Sequence, residues 1–327
     1  MSHAPVLLRE AVAALAPKAG DLIVDATFGG GGYTRALLEA ADCKVIARDR
    51  DPDAIARGQA LARLTPGRVE PREGRFGDLD TLVPEPVDGV ALDLGVSSFQ
   101  LDEPERGFSF RFDAPLDMRM AKAGPSAADV VAQFPEEALA DAIWALGEET
   151  ASRRIARALV EARREAPVAT TAQLADLVEK ALGGRKGART HPATKTFQAL
   201  RMLVNDELGE LARALAGAET RLKPEGRLVV VSFHSLEDRI VKSFMVERAG
   251  AGGGGSRYAP ERPAGRPPSF RLAQKKSIAP NERELAANPR ARSAKLRVAF
   301  RTEAPAWGPI DDRMLAPKAA EAWERLT

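Results

Sequence analysis

An apolar run that ends in an aspartate and then in four consecutive glycines, Leu22–Thr34 (LIVDATFGGGGYT), constrains this chain more than any other stretch. Leu22–Val24 reads as a buried strand, and Tyr33–Ala41 carries apolar residues at helical spacing, so the glycines fall where a strand turns sharply into a helix. Glycine tolerates positive φ and lets a ligand approach the backbone closely. The turn therefore predicts a nucleotide-type cofactor; a flexible glycine-rich loop of no function is the alternative.

A dinucleotide fingerprint, G-x-G-x-x-G, needs its third glycine so that helix and strand pack closely beneath a pyrophosphate. Read from Gly29 the chain gives GGGGYT and from Gly30 GGGYTR, and neither frame completes the motif. Asp25, before the turn, also puts a carboxylate near a place that otherwise favours anionic phosphate. S-adenosylmethionine offers an ammonium and a sulfonium instead, and D-x-x-x-G-x-G resembles the first motif of Rossmann-like methyltransferases. The next strand, Lys44–Ala47, leads into ArgAspArgAsp and places Asp49 about 20 residues beyond the turn, where such folds hold ribose hydroxyls. Asp49 is the ribose candidate, while Asp51 reads as part of a solvated turn before Pro52.

Strand and helix signals alternate through the first hundred residues: strands at 22–26, 44–48, 68–72 and 89–94, helices at 33–41 and 52–64. That alternation predicts a parallel sheet with crossover helices. From about Pro104 to Val204 the pattern turns helical, notably over Glu136–Arg164, Thr171–Leu182 and Thr194–Ala216. Strand signals return at Arg227–Phe233 and Leu296–Phe300 and complete the sheet. The expected organisation is an α/β domain over 1–104 and 205–301, interrupted by a helical domain over 105–204 and followed by a peripheral extension, 302–327. Residues 250–269, rich in glycine, proline and arginine, read as a mobile loop. Between Gly250 and Arg297 stand eleven Lys or Arg against three Glu, in a chain whose formal net charge is only +2. Such a segment suits phosphate contacts with nucleic acid or a solvated surface loop, and charge alone does not choose.

Composition excludes several classes. Hydrophobic residues at 44% and charged residues at 29% are ordinary for a globular protein large enough for two domains. A single cysteine, Cys43, rules out an internal disulfide, and Arg9 and Glu10 interrupt the N-terminal apolar stretch where a signal peptide needs continuity. No apolar run approaches the roughly 20 residues that span a bilayer. A cytoplasmic protein is expected, with no membrane partner. The three histidines, His3, His191 and His234, have no spacing that resembles a zinc site, so no structural metal is expected.

In Asp88–Gln100 (DGVALDLGVSSFQ) a strand ends at Asp93, and the ligand crevice of an open parallel sheet lies at the carboxyl ends of its strands. Asp93 should face the cofactor. Here LeuGlyVal follows it, whereas amine methyltransferases commonly carry Pro-Pro-aromatic. His191 and His234 lie beside residues able to bind phosphate, but capped helix starts at Thr194 and Ser235 account for them as well.

Six blocks in order across residues 3–301 carry a wider likeness: HAPVLLREAV, DATFGGGGYT, ALDLGVSSFQLDEPERGFSFRFDAPLDMRM, HPATKTFQALRMLVNDEL, VVVSFHSLEDRIVKSFM and NPRARSAKLRV. Through them the chain resembles the bacterial RsmH (MraW) family of 16S ribosomal RNA cytidine N4-methyltransferases. The resemblance implies a class I Rossmann-like methyltransferase sheet with an inserted all-helical domain. It also implies S-adenosylmethionine as cofactor and, as substrate, the exocyclic amine of a cytidine in the decoding region of the 16S ribosomal RNA, expected within the small subunit, with free RNA as the open alternative. A homodimer is compatible with the sequence, which does not set the oligomeric state. Carried over by position, the cofactor contacts fall on Gly31, Gly32, Tyr33, Asp49, Phe76, Asp93 and Gln100. Asp93 is also the candidate to hold the target amine; a role toward the cofactor alone stays open. Phe76 would stack beside the adenine or serve in ordinary packing. Tyr33 replaces the family's usual histidine and Arg48 its usual apolar residue. The rival readings are a methyltransferase for a smaller substrate or a protein, and a non-catalytic RNA-binding assembly factor of the same fold; a dehydrogenase is weakest, for want of the third glycine.

Overall fold

In a computed structural model of the chain, residues 5–185, 187, 190–250, 266–310 and 317–327 are described. Two compact units divide it, one of residues 1–95 and 209–310 and the other of residues 96–208 and 311–327.

The first unit opens with α1 (Leu8–Leu15), β1 (Leu22–Asp25), α2 (Gly32–Ala40), β2 (Lys44–Asp49), α3 (Pro52–Leu64), β3 (Val69–Glu73), α4 (Leu79–Leu82) and β4 (Val87–Asp93). The second unit contributes α5 (Ser98–Asp102), α6 (Ala127–Gln133), α7 (Glu136–Ala145), α8 (Ser152–Glu165), α9 (Thr171–Leu182) and α10 (Thr194–Asn205). The chain rejoins the first unit through α11 (Glu207–Arg221), then β5 (Leu222–Ser232), α12 (Ser235–Arg248), β6 (Phe270–Leu272), α13 (Glu282–Ala287) and β7 (Lys295–Arg301); α14 (Pro317–Leu326) belongs to the second unit.

The seven strands form one sheet in the order β3-β2-β1-β4-β5-β7-β6. β1 to β5 are parallel and β7 runs antiparallel to both of its neighbours. This is the class I Rossmann-like methyltransferase sheet. Because successive side chains of a strand point to opposite faces, each strand feeds two cores. Ile23, Val45, Ala47, Ala91 and Val229 pack beneath α1, α2 and α3, while Val24, Ile46, Val90, Leu92 and Val230 pack against α11 and α12. Strand order reverses between β1 and β4, and that switch point opens a crevice at their carboxyl ends.

Several expectations are corrected. The stretch Glu136–Arg164 is two helices, α7 and α8, because the chain turns at Gly147, where a Cβ would lie 2.6 Å from the carbonyl oxygens of both Ile143 and Lys195. Thr194–Ala216 is likewise broken, at Asp206, whose backbone is left-handed with φ of 49°. The strand expected over Arg227–Phe233 begins earlier, at Leu222, and β6 has no counterpart among the expected strands. Nor is 302–327 simply peripheral: Trp307 donates its backbone N–H to the buried Glu219, and α14 packs against α7 within the second unit. Most of the basic loop, residues 251–265, lies outside the described residues. Further along the chain, Lys295 and Arg297 pair with Asp238 and Arg271 pairs with Glu225, so part of the local charge excess is neutralised within the fold.

Candidate functional site

Three carboxylates define the crevice. Asp25 ends β1 in register with Ala47 of β2 and Ala91 of β4. Asp49 and Asp93 stand two residues further along those neighbouring strands. An interval of two keeps the side-chain face, so all three aspartates project to the same side of adjacent strand ends.

Each is held differently. Asp25 is buried, and its Oδ2 accepts the Thr34 hydroxyl at 2.7 Å. Burial, and then the charge of Asp49, outweigh that hydrogen bond and push its pKa up to about 6. Asp49 Oδ2 accepts from Gly29 N at 2.8 Å and its Oδ1 from Asp51 N at 2.9 Å, which fixes the carboxylate beside the glycine turn. Burial still raises its pKa. Asp93 donates its backbone N–H to the Thr27 hydroxyl, but its Oδ1 is shielded from solvent and has no hydrogen-bond partner. Burial, followed by Asp25 and Glu237, drives the Asp93 carboxyl well above the usual carboxylate range. No cation stands among the groups that shift Asp25 or Asp93. Arg57 acts on Asp49 alone, so Asp25 and Asp93 form the part of the site that favours a cationic ligand.

The glycine turn has its own logic. Gly31 precedes α2 in a left-handed conformation with φ of 74°. A Cβ there would meet the Phe28 ring at 2.6 Å, and one on Gly32 would lie 2.2 Å from Pro5 Cγ. These two glycines are thus required by the protein's own packing as well as by any ligand. Tyr33 is turned inward: its ring is buried and its hydroxyl donates to Val6 O at 2.6 Å. With the side chain buried, although Asp93 and Asp25 act on it, a cofactor contact at position 33 would fall to the backbone, and the core absorbs the exchange of the family's histidine for tyrosine.

Phe76 lies in a 3-10 turn, Phe76–Asp78, just after β3, and is half-buried. Two residues missed at the sequence level hold this turn from the other face of the sheet. Glu210, fully buried on α11, accepts from Gly77 N at 2.8 Å and from Arg75 Nη1 at 3.3 Å. Arg48, one residue before Asp49 and therefore on the opposite face, is fully buried and donates from Nη2 to Arg75 O at 2.8 Å. Burial lowers its pKa to about 10 despite the nearby Asp78. The only sequence signal for Arg48 was that a charge stood where an apolar residue is usual.

Gln100 belongs to the second unit, where it is buried and closes a capping box with Ser97: Ser97 N donates to Gln100 Oε1 at 3.0 Å and Gln100 N to Ser97 Oγ at 3.2 Å. Each of the two histidines accepts a backbone N–H at a helix start. His234, rather than Ser235, is the N-cap of α12; its Nδ1 accepts from Glu237 N at 3.4 Å. His191 Nδ1 accepts from Ala193 N, and its ring packs against Phe110 with centroids 4.6 Å apart and planes tilted by 38°. Ala193 stands at the N-cap of α10 in place of the expected Thr194.

The donor set fits S-adenosylmethionine. Asp25 and Asp93 suit its positive groups, the oriented Asp49 suits a ribose, and the unpartnered Asp93 Oδ1 can accept from an amine. Comparison with known proteins agrees with this chemistry. A family model described as the MraW methylase family matches residues 1–302. A protein of Hyphomonas neptunium named ribosomal RNA small subunit methyltransferase H is 59% identical, over 98% of this chain and 94% of its own. Proteins with that same name from Azorhizobium caulinodans and Caulobacter vibrioides are 59% and 58% identical, each over 93% of this chain and over 88% and 97% of theirs. With matches of this identity and extent, the chain belongs to the MraW methylase family.

Proposed function

We propose that this protein uses S-adenosylmethionine to methylate N4 of a cytidine in the decoding region of 16S ribosomal RNA, acting on the small subunit in the cytoplasm. The observation that carries the reading is Asp93. It is a strand-end carboxylate at the topological switch point, with one buried oxygen lacking any partner and a pKa raised by burial and by Asp25. The names of the relatives support small-subunit ribosomal RNA as substrate, and the resemblance to the cytidine N4 enzymes supports the base. Among the described residues no helix is long and apolar enough to cross a membrane.

The chemistry follows from what each residue can do. An exocyclic cytosine amine is a weak nucleophile because its lone pair is delocalised into the ring, so it must be held and aligned. S-adenosylmethionine supplies, when bound, a methyl group on a sulfonium sulfur. Asp93 Oδ1 accepts an N–H of the amine, which orients the nitrogen and stabilises the positive charge it gains on methylation. With its raised pKa, Asp93 is also suited to take up the proton that the methylated nitrogen must lose. Asp49, fixed by Gly29 and Asp51, accepts from ribose hydroxyls. Phe76, on its braced turn, offers an aromatic surface to the adenine.

The test is to delete the gene and map methylated cytidines in small-subunit RNA by mass spectrometry. N4-methylcytidine should disappear from one position and return on complementation. An unchanged level would overturn the reading.

A further inference from the structure

The second unit carries an exposed tryptophan. Trp144, near the end of α7, is 62% exposed, and it lines a cavity of about 1050 Å³ built by α7, α8 and α14. A singly exposed aromatic side chain is common on a protein surface; what sets this one apart is the charge beside it. Arg153, Arg154 and Arg157 of α8 line the same cavity and are exposed.

The charges around it are unequally matched. Every acid of the cavity has a partner: Glu136 faces Arg157 at 3.7 Å, Glu137 pairs with Lys318 Nζ at 2.6 Å, and Asp141 Oδ2 accepts Lys318 N at 2.9 Å in the first turn of α14. Arg153 lies near enough to Glu137 and Lys318 to act on both through its charge, but neither Arg153 nor Arg154 forms a side-chain hydrogen bond or close ion pair among the described residues. What remains for a partner is an aromatic surface beside two guanidinium groups whose hydrogen-bond donors are open. α14 and its Lys318 lie beyond residue 302, where the family match stops, so one wall of the cavity comes from outside the matched region.

We infer that this cavity binds an unpaired stretch of ribosomal RNA, with a base stacked on Trp144 and the flanking phosphates on Arg153 and Arg154. The inference rests on the reading of the protein as a ribosomal RNA methyltransferase and adds a second contact surface, within the helical unit, to the carboxylate crevice. Aromatic side chains stack on any base face, and arginines beside them take the backbone, which is the usual make-up of single-strand RNA sites. An apolar protein partner would instead bury Arg154, which has no acid paired with it, at a desolvation cost.

The probe is a fluorescein-labelled single-stranded RNA dodecamer, followed by small ribosomal subunits from cells lacking the gene. Trp144→Ala should raise the dodecamer Kd about tenfold, while Trp144→Phe, which keeps an aromatic face, should stay within about threefold of wild type. The double variant Arg153→Gln/Arg154→Gln should weaken binding and lower the slope of log Kd against log salt by about 1.4, for two single-strand phosphate contacts. On subunits, Trp144→Ala should raise KM for the subunit and leave kcat, S-adenosylmethionine affinity and melting temperature unchanged. Wild-type dodecamer affinity and KM in Trp144→Ala would overturn the inference. So would a change in its sedimentation with RNA binding intact, because the surface would then serve self-association. A wild-type protein that methylates no subunits would sink the functional reading instead, and dodecamer binding still lost in Trp144→Ala would leave the RNA surface standing.

Discussion

Asp25 illustrates how the site opposes the stability of the protein around it. Its pKa rises from 3.8 to about 6, so the ionised carboxylate is less favourable folded than unfolded, by about 3 kcal/mol at neutral pH. Between these values the folded chain binds more protons than the unfolded one, so the ligand-free protein gains stability as pH falls through about 6 towards 4. Asp25→Asn keeps an acceptor for the Thr34 hydroxyl but removes the charge. It should stabilise the ligand-free protein at pH 7.5 by about 1–3 kcal/mol in urea unfolding, flatten the pH dependence between 4 and 6, and weaken S-adenosylmethionine binding. Variant and wild type with parallel pH profiles would contradict this. At Asp93 the expected loss is in the reaction itself. Asp93→Asn preserves size and removes the charge, and kcat/KM should fall by about 100-fold or more with unchanged circular dichroism. Full activity with normal cofactor affinity would exclude both roles given to Asp93.

At the scale of elements, the turn that carries Phe76 depends on residues that never face the crevice. β2 presents Asp49 to one side and Arg48 to the other, and the buried Arg48 reaches Arg75 O while Glu210 of α11 holds Gly77 N. Arg48→Met should therefore raise KM for S-adenosylmethionine about tenfold while kcat at saturating cofactor stays near wild type, and Arg48→Lys should recover part of the loss. Equal falls in kcat for both variants would show general disruption instead of positioning. This brace also shows where sequence reading stops. The parallel strands were legible because apolar runs ending in Asp25, Asp49 and Asp93 alternate with helical periods, and the crevice follows from their order. Arg48 and Glu210 were not legible, since they reach the same turn from β2 and from a helix that follows more than a hundred intervening residues of the second unit, 96–208. His234 as a helix cap escaped for a chemical reason: imidazole Nδ1 can accept from an N3 amide, but Ser235 stood beside it as the ordinary choice. The break between α7 and α8 hinges on Gly147, where two carbonyl oxygens, one of them from α10, leave no room for a Cβ. That constraint exists only once α7 and α10 are packed.

At the scale of the whole molecule, two units with separate cores imply that ligand energy enters one before the other. Gly31, Gly32, Asp49, Phe76 and Asp93 belong to the first unit; of the candidate cofactor contacts, only Gln100 belongs to the second. The tryptophans divide in the same way, with Trp307 in the first unit and Trp144 and Trp323 in the second. Trp307 is well placed as a reporter, because its indole packs under the Arg248 guanidinium, 5.0 Å from the ring centroid, and its backbone N–H bonds to Glu219. A ligand at 100 times its Kd adds about 2.7 kcal/mol to the state that binds it. For a unit of roughly 200 residues that is an upward shift of about 5–10 °C in the melting temperature. In a Trp144→Phe/Trp323→Phe protein, which leaves Trp307 as the only tryptophan, S-adenosylhomocysteine should therefore raise the fluorescence transition by that amount. In a Trp307→Phe protein, where only the second unit reports, the transition should move by less than half as much. Equal shifts in the two proteins would mean that the stabilising contacts are spread over both units, and the assignment of the cofactor to the carboxylate crevice of the first unit would have to be withdrawn.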